Sequence, residues 1–283
     1  MIKFIALFLF SSSMFAVAYE GDSGGIFALP VSNEYKSNEY LLFEIDGKSY
    51  VIAGMPYVLE ERVIKIDDKK IKVLPVNYGE SRITIENNSL VNPSSSDQER
   101  AAKERKSLQS VLSKKSNFNL DDLKFLRPVE GAVTSGFGKK RFINDLPRAP
   151  HLALDLDGFD GDPIVAPLDA KVVLVDNFFY SGNIIVLDHG SNVFTSYSHM
   201  NKSHKMVGDF VNKGDLIGEI GSTGRVTGPH LHWVIYMNGN RINPEIVLNK
   251  DFPMNLLANY QDVPEDFPLS EAVSYTHLRA HET

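Results

Sequence analysis

Along residues 25–92 the apolar positions come in short alternating runs broken by turn residues. Leu41–Ile45 (LLFEI) and Ser49–Ile52 flank Asp46-Gly47, and Arg62–Ile66 (RVIKI) and Lys70–Leu74 (KIKVL) flank Asp67-Asp68. Both arrangements predict β-hairpins, and Arg82–Glu86 (RITIE) predicts a further strand. Residues 19–92 are therefore expected to form a small β domain. This stretch holds no histidine and no clustered acids at ligand spacing, so the residues themselves give it no chemistry.

The pattern changes after Val91. Asn92-Pro93-Ser94-Ser95-Ser96 reads as a linker with a helix N-cap, and Asp97–Lys115 is rich in helix formers with few apolar positions. A mostly solvated helix follows, either a spacer or docked on one of its neighbours, within a linker over 93–122. From Leu126 the chain turns strand-rich again. Strands are expected at Ala132–Ser135, Ile164–Ala166, Ala170–Asn177, Asn183–Asp188, Val193–Ser198, Leu216–Ile220 and Leu231–Met237. Short strands with almost no helix predict an antiparallel sheet or open barrel over 123–255. The fold class is mainly β.

The ends of the chain read differently. Met1–Ala18 has a positive start at Lys3, an apolar run Phe4–Phe10 and an A-x-A site at Ala16-Val17-Ala18, the pattern of a secretory signal peptide. The run is short for a bilayer span. An exported, soluble mature chain with no stable membrane anchor is expected. At the other end, 256–283 forms a tail whose last part, Val273–Thr283 (VSYTHLRAHET), resembles translated adapter sequence and is read as non-native; its His277 and His281 are set aside.

Composition narrows the chemistry. With 283 residues, 43% hydrophobic, the chain has room for two modest domains. Its 29 Lys+Arg against 36 Asp+Glu give a net charge of -7 with no basic block, which argues against a nucleic-acid partner. Cysteine is absent, which excludes disulfides, Cys-ligated zinc and thiol nucleophiles. A metal site must then be built from His and carboxylate.

The six remaining histidines all lie between residues 151 and 232. His230-Leu231-His232 opens a strand, where side chains two apart share a face. His151 and Asp155 stand four apart; a fully extended strand would hold their Cα atoms about 13 Å apart, so a turn or bulge is expected between them, with His151 still in loop. His199 closes the strand from Val193. His189, in Asp188-His189-Gly190, reads as structural, and His204 as a solvated loop residue.

Taken together these pieces resemble the lysostaphin-like (LytM-type) zinc metalloendopeptidases of peptidoglycan, over about Arg127 to Leu248. The resemblance rests on Thr134-Ser135-Gly136-Phe137-Gly138, the H-x-x-x-D at His151/Asp155, the Y-x-H at Tyr197/His199 and the run Gly221–Trp233 (GSTGRVTGPHLHW). Arg141-Phe142-Ile143-Asn144 and Pro147–His151 resemble an exported Gram-negative subgroup whose catalytic domain follows a small β domain. Two departures are Ala153, where the family often has Gly, and Val234, at a frequently acidic position.

The resemblance implies zinc held by His151, Asp155 and His232, with the fourth position open for water, and His199 and His230 as the catalytic non-ligand pair. His230 would accept a proton from the metal-activated water; His199 would hold the developing charge or protonate the leaving amine. Arg225 and Tyr197 are candidate substrate contacts. The implied activity is hydrolysis of peptidoglycan cross-links, D-Ala–diaminopimelate in a Gram-negative wall, by a periplasmic enzyme with an unknown regulatory partner. The alternative is a catalytically silent cell-wall-binding module that activates another wall hydrolase. Such relatives typically lack a metal ligand, whereas His151, Asp155 and His232 are all present.

Overall fold

The computed structural model describes residues 19–252 and Leu256, except Asn38, Asp46, Asn117, Asp121 and Asp122. The segment read as an export signal, Met1–Ala18, and the tail from 257 to 283 lie outside the described residues.

The first strands are β1 (Tyr19–Asp22), β2 (Ile26–Val31), β3 (Leu41–Ile45), β4 (Lys48–Gly54), β5 (Arg62–Ile66), β6 (Lys69–Leu74) and β7 (Glu80–Ile83). Both expected hairpins form, β3 with β4 and β5 with β6. β2 adds antiparallel to β4, and β1 adds parallel to β6. Along β4 alternate side chains face opposite ways. Tyr50 and Ile52 join the main core of the molecule, whereas Val51 and Ala53 pack with Ile66, Ile71 and Val73. The β2–β4–β3 sheet is therefore buried on both faces and lies against the C-terminal half. Asn238 fastens it there: its Oδ1 accepts from the Gly54 N–H at 2.6 Å and its Nδ2 donates to the Gly54 carbonyl at 3.2 Å.

Two helices follow, α1 (Asn88–Val91) and α2 (Ser95–Leu112). Ser94 caps α2, its hydroxyl accepting from the Asp97 N–H at 3.2 Å. No residue of α2 is itself buried, yet Leu108, Val111 and Leu112 pack on the sheet residues Leu174, Phe178 and Val186. Arg100 donates to the Asn177 carbonyl at 2.9 Å, and Glu104 accepts from the Phe179 N–H at 2.8 Å. The helix is docked on the sheet's outer face.

The remaining elements are β8 (Val133–Ser135), β9 (Lys139–Ile143), β10 (Leu146–His151), β11 (Leu154–Asp157), β12 (Pro163–Val165), β13 (Ala170–Phe178), β14 (Gly182–Asp188), β15 (Val193–Met200), β16 (Lys202–Ser203), β17 (Phe210–Val211), β18 (Leu216–Glu219), β19 (His230–Met237), β20 (Asn240–Ile242) and α3 (Pro244–Leu248). The main sheet runs β17-β13-β14-β15-β19-β11-β8, with β20 paired to β19. It is antiparallel and open; no barrel closes among the described residues. One face carries Leu154, Tyr197, Trp233 and Ile235 into the main core. A second sheet, β12-β18-β16, packs Ile164 and Ile217 into that same core.

Nothing in the hydropathy pattern announced the β9–β10 hairpin. Lys139–Ile143 is basic, and Leu146–His151 holds two prolines. Its signal lay in the turn: Asn144 and Asp145 have φ of 50° and 60°, the left-handed pair of a tight hairpin turn that these two residue types tolerate. β7 lies parallel along β9, so residues from the first domain extend the hairpin that ends in His151. No helix among the described residues is long and apolar enough to cross a membrane.

Candidate metal centre

Three adjacent strands, β15, β19 and β11, bring the site together. Along β19, Leu231 and Trp233 enter the core, so His230 and His232 project to the other side. Asp155 on β11 is the direct cross-strand partner of His232. On the other flank, Ser198 of β15 opposes His232.

His151 arrives from a different sheet. It is the last residue of β10 rather than a loop residue: it pairs with Lys139 after a register slip, and the chain breaks at Leu152-Ala153 before β11 begins. The slip and the break together remove the separation that an extended strand would impose. The expectation of a bend was right; the loop placement of His151 is corrected.

The donor atoms of His151, Asp155 and His232 all lie within 4.8 Å of one another. Asp155 Oδ1 is 3.0 Å from His151 Nε2 and 2.7 Å from His232 Nδ1, and those two nitrogens are 3.4 Å apart. Two ligands at zinc distances of about 2.0–2.1 Å and tetrahedral angles sit about 3.3 Å apart, so this spacing suits one such ion. The Nδ1–H of His151 donates to the Gly136 carbonyl at 3.0 Å, which leaves Nε2 as the free lone pair.

The electrostatics agree with that donor set. Burial works against ionisation of Asp155, but the charges and hydrogen bonds of His232 and His151 outweigh it and hold its carboxyl well below the usual range. Burial pushes His232 down to about 4 despite Asp155. A carboxylate and a neutral imidazole are the forms that coordinate a cation.

His199 and His230 complete the cluster. Their rings lie 5.0 Å apart, and His199 is 5.5 Å from the His232 ring. The Nδ1–H of His199 donates to the Thr223 carbonyl at 2.9 Å, and that of His230 to the Gly228 carbonyl at 2.9 Å. A carbonyl can only accept, so Nδ1 of each ring carries a proton and Nε2 is turned away from these bonds. Burial, then repulsion from His232 and His230, holds His199 well below the ordinary histidine range.

Tyr197 does not reach this site. It is 0% exposed, packs in the main core and shares a 2.8 Å hydrogen bond with the Thr195 hydroxyl. The expectation that it touches substrate is corrected: its ring lies on the face of the sheet opposite His232. Arg225 is half-buried beside the site, its Cζ 4.2 Å from the centre of the Tyr180 ring. His189 is buried, with Nδ1 3.0 Å from the Asp169 carbonyl and Nε2 2.7 Å from the Thr195 hydroxyl, and His204 is exposed, 3.0 Å from Glu219 Oε1. The sequence reading missed Arg141, whose Nη2 is 4.0 Å from Asp155 Oδ2.

Residues 149–244 match Peptidase family M23. Peptidoglycan DD-endopeptidase ShyA of Vibrio cholerae is 38% identical over 112 residues, which cover 39% of this chain and 26% of that protein. DD-carboxypeptidase/endopeptidase Mpg of Neisseria meningitidis is 32% identical over 134 residues, 47% of this chain and 30% of that protein. This chain thus spans less than a third of the length of either relative. A crystal structure of a proposed peptidase M23 from Pseudomonas aeruginosa superposes at a TM-score of 0.64 and 24% identity, over 80% of this chain and 94% of that one, a likeness of fold. Clustered donors and family match point the same way: residues 149–244 resemble peptidase family M23.

Proposed function

We propose that this chain is a zinc-dependent endopeptidase that hydrolyses peptide cross-links of bacterial peptidoglycan, with the D-Ala–diaminopimelate bond as its target. The observation that carries the reading is the meeting of His151, Asp155 and His232 within 4.8 Å, flanked by two further imidazoles. In this reading His151 Nε2, an Asp155 oxygen and His232 Nδ1 hold the ion. Zinc, when bound, supplies a Lewis acid that polarises a carbonyl and acidifies water.

The chain's own residues supply the rest. His230, its Nδ1–H tied to Gly228, accepts a proton from the attacking water at Nε2. His199, tied to Thr223, stands across the cluster; once protonated, it donates to the carbonyl oxygen or to the leaving amine. Arg225 contacts a carboxylate of the peptide. Residues 123–255 form the catalytic unit, joined through 93–122 to the unit at 19–92, and a cleaved export signal at 1–18 delivers it to the periplasm. The complete donor set weighs against a silent wall-binding module.

Metal analysis combined with a digest of purified peptidoglycan tests this directly, with products identified by mass. One zinc per chain and release of cross-linked stems as monomers is the expected result. A metal-loaded chain that binds wall and releases nothing would return the silent module.

A further inference from the structure

Three arginines, Arg141, Arg148 and Arg225, gather on one flank of the site. Arg141 and Arg148 are direct cross-strand partners on the β9–β10 hairpin. Like charges so placed repel and destabilise the pair. Arg141 is the deeper of the two, and its buried Nε has no hydrogen-bond partner among the described residues. Among those residues, the one carboxylate within ion-pair reach of this group is Asp155, already engaged by two imidazoles.

Arg148 and Arg225 come from different parts of the chain and converge on one place. Arg148 Nη2 donates to the Val91 carbonyl at 3.3 Å, and Arg225 Nη1 to the Leu90 carbonyl at 3.4 Å. These consecutive carbonyls close the short helix α1. Both contacts are long for hydrogen bonds from a guanidinium, which reach about 2.7–2.9 Å on a charged oxygen. Burial lowers the Arg225 pKa, and repulsion from Arg141 and Arg148 adds to this despite the offsetting pull of Tyr180.

We infer that Arg141, Arg148 and Arg225 form a carboxylate subsite on the flank of the metal centre, where the Leu90 and Val91 carbonyls stand in for the two oxygens of a substrate carboxylate. The inference rests on the endopeptidase reading for what enters the groove, a peptide ending or branching in a free carboxylate. An ionised carboxylate neutralises the arginine pair and makes hydrogen bonds about twice as strong as those to neutral carbonyls, so it displaces α1 from the guanidiniums.

The test uses the zinc-loaded full chain and two non-hydrolysable peptides, each with its scissile amide reduced to CH2–NH. One ends in a carboxylate and the other in a carboxamide. Calorimetry should show the acid bound about 10-fold tighter or more, with the gap narrowing at high salt. The gap should collapse in Arg148→Gln and Arg225→Gln. Arg225→Lys, which keeps the charge and loses the planar fork, should retain part of it, and it serves if a Gln variant fails to fold. Equal affinity for acid and amide in the wild type, or an undiminished gap in the variants, overturns the subsite. A chain that prefers the acid yet hydrolyses no peptidoglycan would sink the endopeptidase reading and leave the subsite standing.

Discussion

Tyr197 and His199 stand two apart on β15, yet their side chains leave the sheet on opposite sides. Tyr197 is in the core beside Trp233, whereas the His199 ring faces those of His230 and His232. Strand alternation alone would put both on one face. The reversal comes from His199 itself, whose φ is 65°, next to a register slip between β14 and β15. A non-glycine residue held there costs on the order of 1–3 kcal/mol, and such strain gathers at functional sites. His199→Gly should therefore fold at least as stably as wild type in urea while losing hydrolysis. His199→Val should be less stable by roughly 1–3 kcal/mol, because a β-branched residue fits left-handed backbone poorly. A glycine variant that melts well below wild type would refute the strain.

The proposed division of labour separates metal binding from hydrolysis. His232→Ala and Asp155→Asn should lose zinc, measured by elemental analysis after dialysis. His230→Ala should keep zinc and lose activity by about 10²–10⁴-fold, the usual worth of a positioned acid–base group. Zinc lost from the His230 variant would place that ring among the ligands and undo the assignment.

Tyr197→Phe provides the opposite control. The hydroxyl meets Thr195 and the Trp233 side chain in the interior, so its removal should cost about 1 kcal/mol of stability. Hydrolysis of purified wall should stay within about 2-fold of wild type, since an interior hydroxyl adds nothing to differential binding of the transition state. A large loss of activity with an intact fold would restore Tyr197 to the substrate groove.

His189 gives stability a dependence on acid. Burial pushes its pKa down to about 4, against an ordinary 6.5. Between those values the unfolded chain binds a proton that the folded chain refuses. Stability therefore falls as pH drops from about 6.5 to about 4, by about 3 kcal/mol in all. His189→Gln should be less stable than wild type at neutral pH. The difference between the two, read from urea melts, should shrink by about that amount towards pH 4. A constant difference across the range would mean that His189 does not titrate as its burial implies.

Gly224 should tolerate no side chain. Its φ is 77°, and an added Cβ would meet Gly182 N at 2.4 Å and the Tyr180 carbonyl oxygen at 2.6 Å. Gly224→Ala should cost roughly 2–4 kcal/mol and detach the loop that carries Arg225. Thermal melting and peptide affinity should fall together; an unchanged melt would show that the loop has room to shift.

Much of this was legible in the sequence because it depends on local pattern. The hairpins at Asp46-Gly47 and Asp67-Asp68, the Ser94 cap and the common face of His230 and His232 follow from turn chemistry and period-two alternation. The ligand trio was legible through its resemblance to a family, not through spacing, since nothing local brings His151 to His232. What could not be read was non-local or irregular. The bulge that turns His199 away from Tyr197 interrupts the strand alternation, and nothing local in Tyr197-Ser198-His199 marks it. The Arg141–Arg148 pairing required a hairpin written in basic residues and prolines. The approach of Leu90 to Arg225 joins segments 135 residues apart.

The parallel seam between β7 and β9 has a mechanical consequence. The hairpin that ends in His151 has one of its edges stitched to the opposite half of the protein. Any pull on residues 80–91 is therefore delivered, through a few backbone bonds, to the strand that positions His151 and the arginines. A substitution that loosens Glu80–Ile83 is therefore felt at the strand ending in His151, although the two lie far apart in sequence.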